Sequence, residues 1–348
     1  MTDDAFTTDI YYESDVDEQQ LANATVAILG YGSQGHAHAR NLDESGVDVI
    51  VGLREDSSSR ADARSAGLDV ATAPEAAAQA DVVSMLVPDT IQPSVYAAIE
   101  EHLEPGDTLQ FAHGFNIHYD QIQPPEGVDV TMVAPKSPGH LVRRNYVQDE
   151  GTPALLAVYQ DETGAARERA LAYASGIGCA RAGVIETSFQ EEVESDLFGE
   201  QAVLCGGATA LVKHGYETLV DAGYSPEIAY FECMNELKLI VDLLYEGGLS
   251  EMWNSVSDTA EYGGLAKGNE IVDESVRENM EETLEAIQNG EFAREWVSEN
   301  QAGRPSYTQL RAAEQNHEIE DVGERLRDLF AWAETDGQSD PAPVPGDE

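Results

Sequence analysis

Lysine is almost missing from this chain. Lys136, Lys213, Lys238 and Lys267 are its only examples, and lysine and arginine together number 19 against 66 acidic residues, a formal net charge of −47. A surface so poor in cations has no basic face for a phosphate backbone, which excludes nucleic-acid binding. The acids are spread along the whole sequence, so their repulsion is best tolerated where salt screens it within a few ångströms. The composition therefore points to a halophilic protein working in molar salt. Long apolar runs are also lacking, so no membrane span is expected. The opening MTDDAFTTDIYYESD has neither the basic flank nor the apolar stretch of a signal segment, and a cytoplasmic location is expected. Cysteine is scarce: Cys179, Cys205 and Cys233 are odd in number and far apart, which fits neither a disulfide framework nor a metal knuckle and reads as reduced core thiols.

What is present has a clear rhythm. From about residue 25, apolar β-rich segments (TVAILG, DVIVGL, DVVSMLV, DTLQFA, DVTMVA) alternate with helical ones (SQGHAHARNLDESG, APEAAAQA, TIQPSVYAAIEEHL). Continuously apolar strands suit a sheet covered on both faces, so the first half predicts a doubly wound, Rossmann-type parallel sheet. ALLAVYQ adds a strand and GAARERALAYASGIG a helix. Beyond about residue 185 strand signals stop and an all-helical domain is expected. The predicted division is 1–188, 189–335 and a disordered tail 336–348.

Gly30, Gly32 and Gly35 form G-x-G-x-x-G between the strand TVAIL and a helix. The spacing supplies a tight turn and a bare backbone at a helix N-terminus, where free N–H groups and the dipole favour pyrophosphate. After the next strand come Arg54, Ser57, Ser58, Ser59 and Arg60, donors suited to a ribose 2′-phosphate, so NADP(H) is favoured over NAD(H) despite Glu55 and Asp56 in the same loop. Asp89 and Gln92, His113, and Lys136 follow three further strands and share the carboxyl edge where such sheets bind ligands. His113 suits proton transfer near neutral pH.

In the helical half, Asp196 and Glu200, and Glu232 and Glu236, are spaced i, i+4. Roughly a dozen such pairs arise by chance among this many acids. These two lie on stripes with Val193, Val203 and Leu204, and with Leu239 and Leu243. Carboxylates on an apolar stripe need a cation or donors, and an oxygen-only ligand set suits Mg²⁺. A solvated acidic coat is the other reading that spacing allows.

Together GYGSQGHAHARNL, GLREDSSS, VPDTIQ, FAHGFNIH, APKSPGH, ESDLFGEQAVLCGG, FECMNELKLIVDL and SVSDTAEYG resemble the ketol-acid reductoisomerase (acetohydroxy acid isomeroreductase) family, short form, in family order from about residue 8 to residue 330. The resemblance implies Mg²⁺-assisted alkyl migration in 2-acetolactate or 2-aceto-2-hydroxybutyrate, then NADPH reduction to the 2,3-dihydroxy acid, in valine and isoleucine biosynthesis. It implies two Mg²⁺, with Asp196 bridging them, Glu200 on one and Glu232 and Glu236 on the other. Ser257 would bind substrate, while His113 and Lys136 would serve catalysis. Gly30, Tyr31, Gly32, Ser33, Gln34, Gly35, Arg54, Ser57, Ser59, Asp89, Thr90, Ile91, Gln92 and Gly139 match cofactor contacts. An interwoven, knotted helical domain and at least a homodimer are further implied. Val256, where the family commonly has isoleucine, and the acidic VQDEGTPALLAV depart from its pattern. The rival enzyme reading is a metal-free NADP-dependent hydroxyacid dehydrogenase with Lys213 as its catalytic lysine; a nucleotide-sensing regulator without chemistry is the rival outside catalysis.

Overall fold

The computed structural model describes residues 7–329, and the tail expected at 336–348 lies outside them. The chain divides into two compact units, the boundary falling between Val193 and Glu194.

The first unit is built on nine strands: β1 (Ile10–Tyr11), β2 (Thr25–Leu29), β3 (Asp48–Gly52), β4 (Asp69–Ala71), β5 (Val82–Met85), β6 (Thr108–Phe111), β7 (Asp129–Pro135), β8 (Ala154–Gln160) and β9 (Val184–Glu186). Their order is β1-β9-β8-β7-β6-β5-β2-β3-β4, so the winding reverses between β2 and β5. The helices are α1 (Ser33–Glu44), α2 (Ser59–Ser65), α3 (Ala73–Ala77), α4 (Gln92–Ile99), α5 (Phe115–His118), α6 (Gly139–Val147), α7 (Ala166–Gly176) and α8 (Phe189–Phe198), the last carrying the unit boundary. The continuous apolar strands are explained by two cores: Val26 and Ile28 enter one, Ala27 and Leu29 the other. Period-two side chains on a sheet covered on both faces must be apolar at every position.

Three features correct the sequence reading. The sheet is mixed: β8 runs antiparallel to β7, and β1 antiparallel to β9. Helix α6 stays at the carboxyl edge packed on α1, so Ala154 pairs with Pro135 where β7 ends and β8 can only run back. The short strands β1, β4 and β9 went unread because two or three residues carry no periodicity. The supposed loop through Arg60 becomes helix α2 at Ser59.

The second unit is helical: α9 (Gly206–Asp221), α10 (Pro226–Tyr230), α11 (Leu237–Ser255, broken at Gly248), α12 (Asp258–Ile271), α13 (Glu274–Gln288), α14 (Glu291–Gln301), α15 (Pro305–Gln315) and α16 (Glu318–Leu329). Its core is a small cluster of Val212, Tyr216, Ala229, Tyr230, Ile319, Val322 and Leu326. Two π-helical turns, Gly199–Leu204 and Phe231–Asn235, precede α9 and α11. Among the described residues no helix is long and apolar enough to cross a membrane.

Candidate active site

The glycine-rich turn leaves β2 beside the switch point, where a doubly wound sheet opens a crevice. Gly30 has φ +104°, a left-handed conformation that a side chain would strain. A Cβ on Gly35 would stand 2.2 Å from the Gly30 carbonyl oxygen, so this glycine lets α1 seat against the turn. Gly32, the N-cap of α1, has ordinary φ and nothing within 4 Å of a built Cβ. The opening faces the free N–H groups of α1, and this cradle fits a dinucleotide pyrophosphate.

A second helix start adjoins the first. A Cβ on Gly139 would lie 1.6 Å from the Ser33 carbonyl oxygen, and the Gly139 N–H donates to Ser33 Oγ at 3.1 Å. Gln34 Nε2 donates to the Ser137 carbonyl at 2.9 Å. The buried phenol of Tyr31 has its pKa raised by desolvation. Beyond β3, Arg54 is exposed and Ser57 nearly buried. Beyond β5, the side-chain amide of Gln92 is committed within its own loop. It donates to the Val87 carbonyl at 3.0 Å and to Asp89 Oδ1 at 3.2 Å, and accepts from Asn116 Nδ2 at 2.8 Å. Asn116 also donates to the Asp89 carbonyl at 2.9 Å, fixing the Asp89–Gln92 turn, in which Thr90 is half-buried and Ile91 exposed.

His113 follows β6 and Lys136 follows β7, and one carboxylate joins them. Glu192 on α8, with a side chain 1% exposed, has Oε1 2.8 Å from Lys136 Nζ and Oε2 3.2 Å from His113 Nδ1. Burial pushes the Glu192 carboxyl up, but His113 and Lys136 outweigh it and hold the group below the usual glutamate range. Gly114 makes this approach possible: a Cβ there would meet Phe189 Cδ1 at 2.6 Å and Val193 Cγ2 at 3.0 Å, so α8 lies directly on the His113–Gly114 turn. Glu192 was missed from sequence. Its signal lies in the sequence, because Glu192, Asp196 and Glu200 form a four-residue series of acids that begins before the Asp196 and Glu200 pair.

Asp196 lies one turn beyond Glu192 on α8 and is half-buried. Glu200 lies in the first π turn and Glu232 in the second, with Glu236 capping α11. The Cys205 N–H reaches the Glu200 carbonyl and the Glu236 N–H the Phe231 carbonyl, five residues back at 3.0 Å in each case. The stripe drawn with regular helical winding is therefore corrected, since a π turn rotates these residues off it. Such turns often mark functional positions. Glu200, Glu232 and Glu236 are exposed in the single chain, as are Val203, Leu204 and Leu239 beside them, so desolvation does not by itself require a cation there. Among the described residues Glu200, Glu232 and Glu236 join no group of three potential metal ligands. Ser257 is the N-cap of α12, its Oγ accepting from the Ala260 N–H at 3.2 Å. Lys213 pairs with Glu314. Of the thiols only Cys179 is core, its pKa pushed up to about 12 by burial; Cys205 is exposed and Cys233 half-buried, which corrects the expectation of three core thiols.

A glycine-rich cradle at a sheet switch point, with His113 and Lys136 at the same carboxyl edge, is the arrangement of a dinucleotide-dependent oxidoreductase. Residues 20–183 match the family described as acetohydroxy acid isomeroreductase, NADPH-binding domain, and residues 189–332 match ketol-acid reductoisomerase, C-terminal domain. The chain is 70% identical over 345 residues to "Ketol-acid reductoisomerase (NADP(+))" of Haloarcula marismortui, covering 99% of each. It is similar to the structure of an NADH-preferring ketol-acid reductoisomerase from an uncultured archean, at 45% identity and TM-score 0.90 over 93% of this chain and 99% of that one. A semialdehyde dehydrogenase NAD-binding protein from Cupriavidus necator, at 17% identity and TM-score 0.60 over 77% of this chain and 99% of that one, shares the fold alone. The chain belongs to the ketol-acid reductoisomerase family and is an enzyme of that class.

Proposed function

We propose that the enzyme converts 2-acetolactate or 2-aceto-2-hydroxybutyrate, by Mg²⁺-assisted alkyl migration and NADPH reduction, to the 2,3-dihydroxy acids of valine and isoleucine biosynthesis. The observation that carries this is the order of acids after β9: Glu192 tied to His113 and Lys136, then Asp196 and Glu200 on the turns that follow. Asp196, Glu200, Glu232 and Glu236 would together supply an oxygen-only donor set of the kind Mg²⁺ takes, once a second copy brings the two pairs together. Bound there, divalent ions supply Lewis acidity toward the substrate carbonyl and its alkoxide. Glu192 accepts from Lys136 at one oxygen and faces His113 with the other, so both are held toward the sheet edge. His113 handles the proton of the tertiary hydroxyl, Lys136 steadies developing oxyanion charge, and the Ser257 hydroxyl retains a donor for the substrate carboxylate.

The named function of the Haloarcula relative and the exposed Arg54 with Ser57 and Ser59 support NADP(H). The NADH preference of the archaeal neighbour makes this loop the place to test. The exposed apolar side chains of α11 and α12, Tyr245, Leu249, Tyr262 and Leu265 among them, support a homodimer in which a second copy covers these faces and brings the two carboxylate pairs together. The acidic composition supports a cytoplasm of high salt.

The test is NADPH oxidation with 2-acetolactate in molar potassium chloride. Activity is expected to require Mg²⁺, and Asp196→Asn to lose at least about a hundredfold while still binding NADPH. Turnover that survives exhaustive EDTA treatment would transfer the assignment to the metal-free hydroxyacid dehydrogenase, although Lys213, engaged with Glu314, is poorly disposed for that role.

A further inference from the structure

The two arginines that follow β3 are used differently. Arg54 is exposed, at the start of the loop. Arg60, in the first turn of α2, sends its guanidinium back beneath that loop: Nη1 donates to the Leu53 carbonyl at 2.8 Å and to the Ala71 carbonyl at 3.1 Å, with the Arg54 carbonyl at 3.4 Å. Leu53 is the first residue beyond β3, and its N–H donates to the same Ala71 carbonyl at 3.0 Å. Parallel strands end with carbonyls directed out of their carboxyl edge, and a cation held there satisfies them. The intervening turn is closed by the Ser57 N–H on the Arg54 carbonyl at 3.2 Å and the Arg60 N–H on the Ser57 carbonyl at 3.3 Å. A residue from the far end of the loop thus clamps its near end to the sheet.

We infer that Arg60 is a positioning residue for recognition of the adenosine ribose: by clamping the Leu53 and Ala71 carbonyls it fixes where Arg54, Ser57 and Ser59 present their donors, and with that the preference for a 2′-phosphate. This rests on the NADP(H) reading. The Arg60 Nη1 donors are engaged with main chain, so any donor Arg60 itself offers a phosphate comes from Nη2 or Nε. Geometry makes arginine the fitting residue, because a lysine ammonium is a point donor on a flexible stem without the planar fork.

Calorimetric titration of the full chain with adenosine 2′,5′-bisphosphate and with 5′-AMP separates the possibilities. Wild type is expected to prefer the bisphosphate. Arg60→Ala and Arg60→Lys should each lose about tenfold for the bisphosphate and less than about twofold for 5′-AMP, the loss of one charge-assisted contact's geometry. Equal losses for both ligands would mean general destabilisation and overturn the inference, as would full recovery in Arg60→Lys, which would make charge alone sufficient. Should Arg60→Ala fail to fold, Arg60→Gln and Arg60→Lys carry the same comparison. A wild type that binds the two ligands equally overturns the NADP(H) reading and this inference with it; a wild-type preference that Arg60→Ala retains overturns only the inference.

Discussion

The unit before Val193 buries its apolar residues in two cores on a covered sheet, whereas the unit after it keeps one small cluster and leaves its helices apolar on the outside. Among the described residues, four of the large apolar side chains exposed in the single chain precede Val193 and eighteen follow it, an imbalance too great for scattered surface residues. The first unit is the one whose order can be read within one chain. The second carries most of the acids assigned to chemistry, two π turns and the surface that asks for a partner. Its stability and its site are therefore expected to depend on assembly together.

The largest test of that contrast places charge on the second unit's surface. Tyr245 is 90% exposed and Leu249 70%. On the proposed homodimer, Tyr245→Asp with Leu249→Asp should yield monomers in sedimentation velocity and remove the proposed acetolactate-dependent turnover. Val147→Asp, at a residue 63% exposed in the first unit, should change neither. A fully active, dimeric double variant would break the comparison, because it would leave the exposed face without a function.

Next in size are two glycines three residues apart in the first unit. Gly35→Ala forces a methyl to within 2.2 Å of a carbonyl oxygen, a backbone clash that only displacement of α1 relieves, so a loss of about 2–4 kcal/mol in chemical denaturation is expected. Gly32→Ala meets no atom and requires no strained φ, so stability should change by less than about 0.5 kcal/mol. Its methyl would instead occupy the cradle, and NADPH affinity measured by fluorescence should fall about tenfold or more. If Gly32→Ala binds NADPH normally, the cradle is only a turn.

How much was legible follows the same division. The strands, the glycine turn and the order of edge residues could be read because each is a local pattern whose partners are short-range: Val26 to Leu29 announce a sheet covered on both faces without knowledge of what covers it. His113 and Lys136 could be placed on one edge for the same reason. Glu192 could not, because its meaning comes from a helix some eighty residues after His113 laid on a glycine that admits it. Nor could the π turns, since a single added residue per turn leaves no trace in composition. The metal reading of Glu232 and Glu236 came from a resemblance to whole motifs. Burial on an apolar stripe does not account for them, since both are exposed in the single chain.

The smallest effect sits in the first unit's core and tests whether that unit keeps its own character. His38 is fully buried between α1 and α7, its Nδ1 2.9 Å from Tyr173 Oη, which lies 3.0 Å from Ser84 Oγ, and its Nε2 has no hydrogen-bond partner among the described residues. Burial, with a small contribution from His36, lowers its pKa from 6.5 to about 3. The unfolded chain therefore binds a proton that the folded chain refuses between those values. The stabilisation from neutral His38 is complete above pH 6.5 and is lost as pH falls toward 3, at up to about 1.4 kcal/mol per pH unit. His38→Asn keeps a polar group near the Tyr173 hydroxyl but cannot titrate, so its unfolding free energy should fall less steeply than wild type below pH 6.5. Equal slopes would assign the acid sensitivity to the carboxylates, Glu192 first, whose depressed pKa also makes stability fall with pH but at a lower window. Since His38 and its partners all lie before Val193, the difference in slope should persist when the Tyr245→Asp and Leu249→Asp changes have made the protein monomeric; its disappearance there would mean that the first unit, too, depends on assembly for its core.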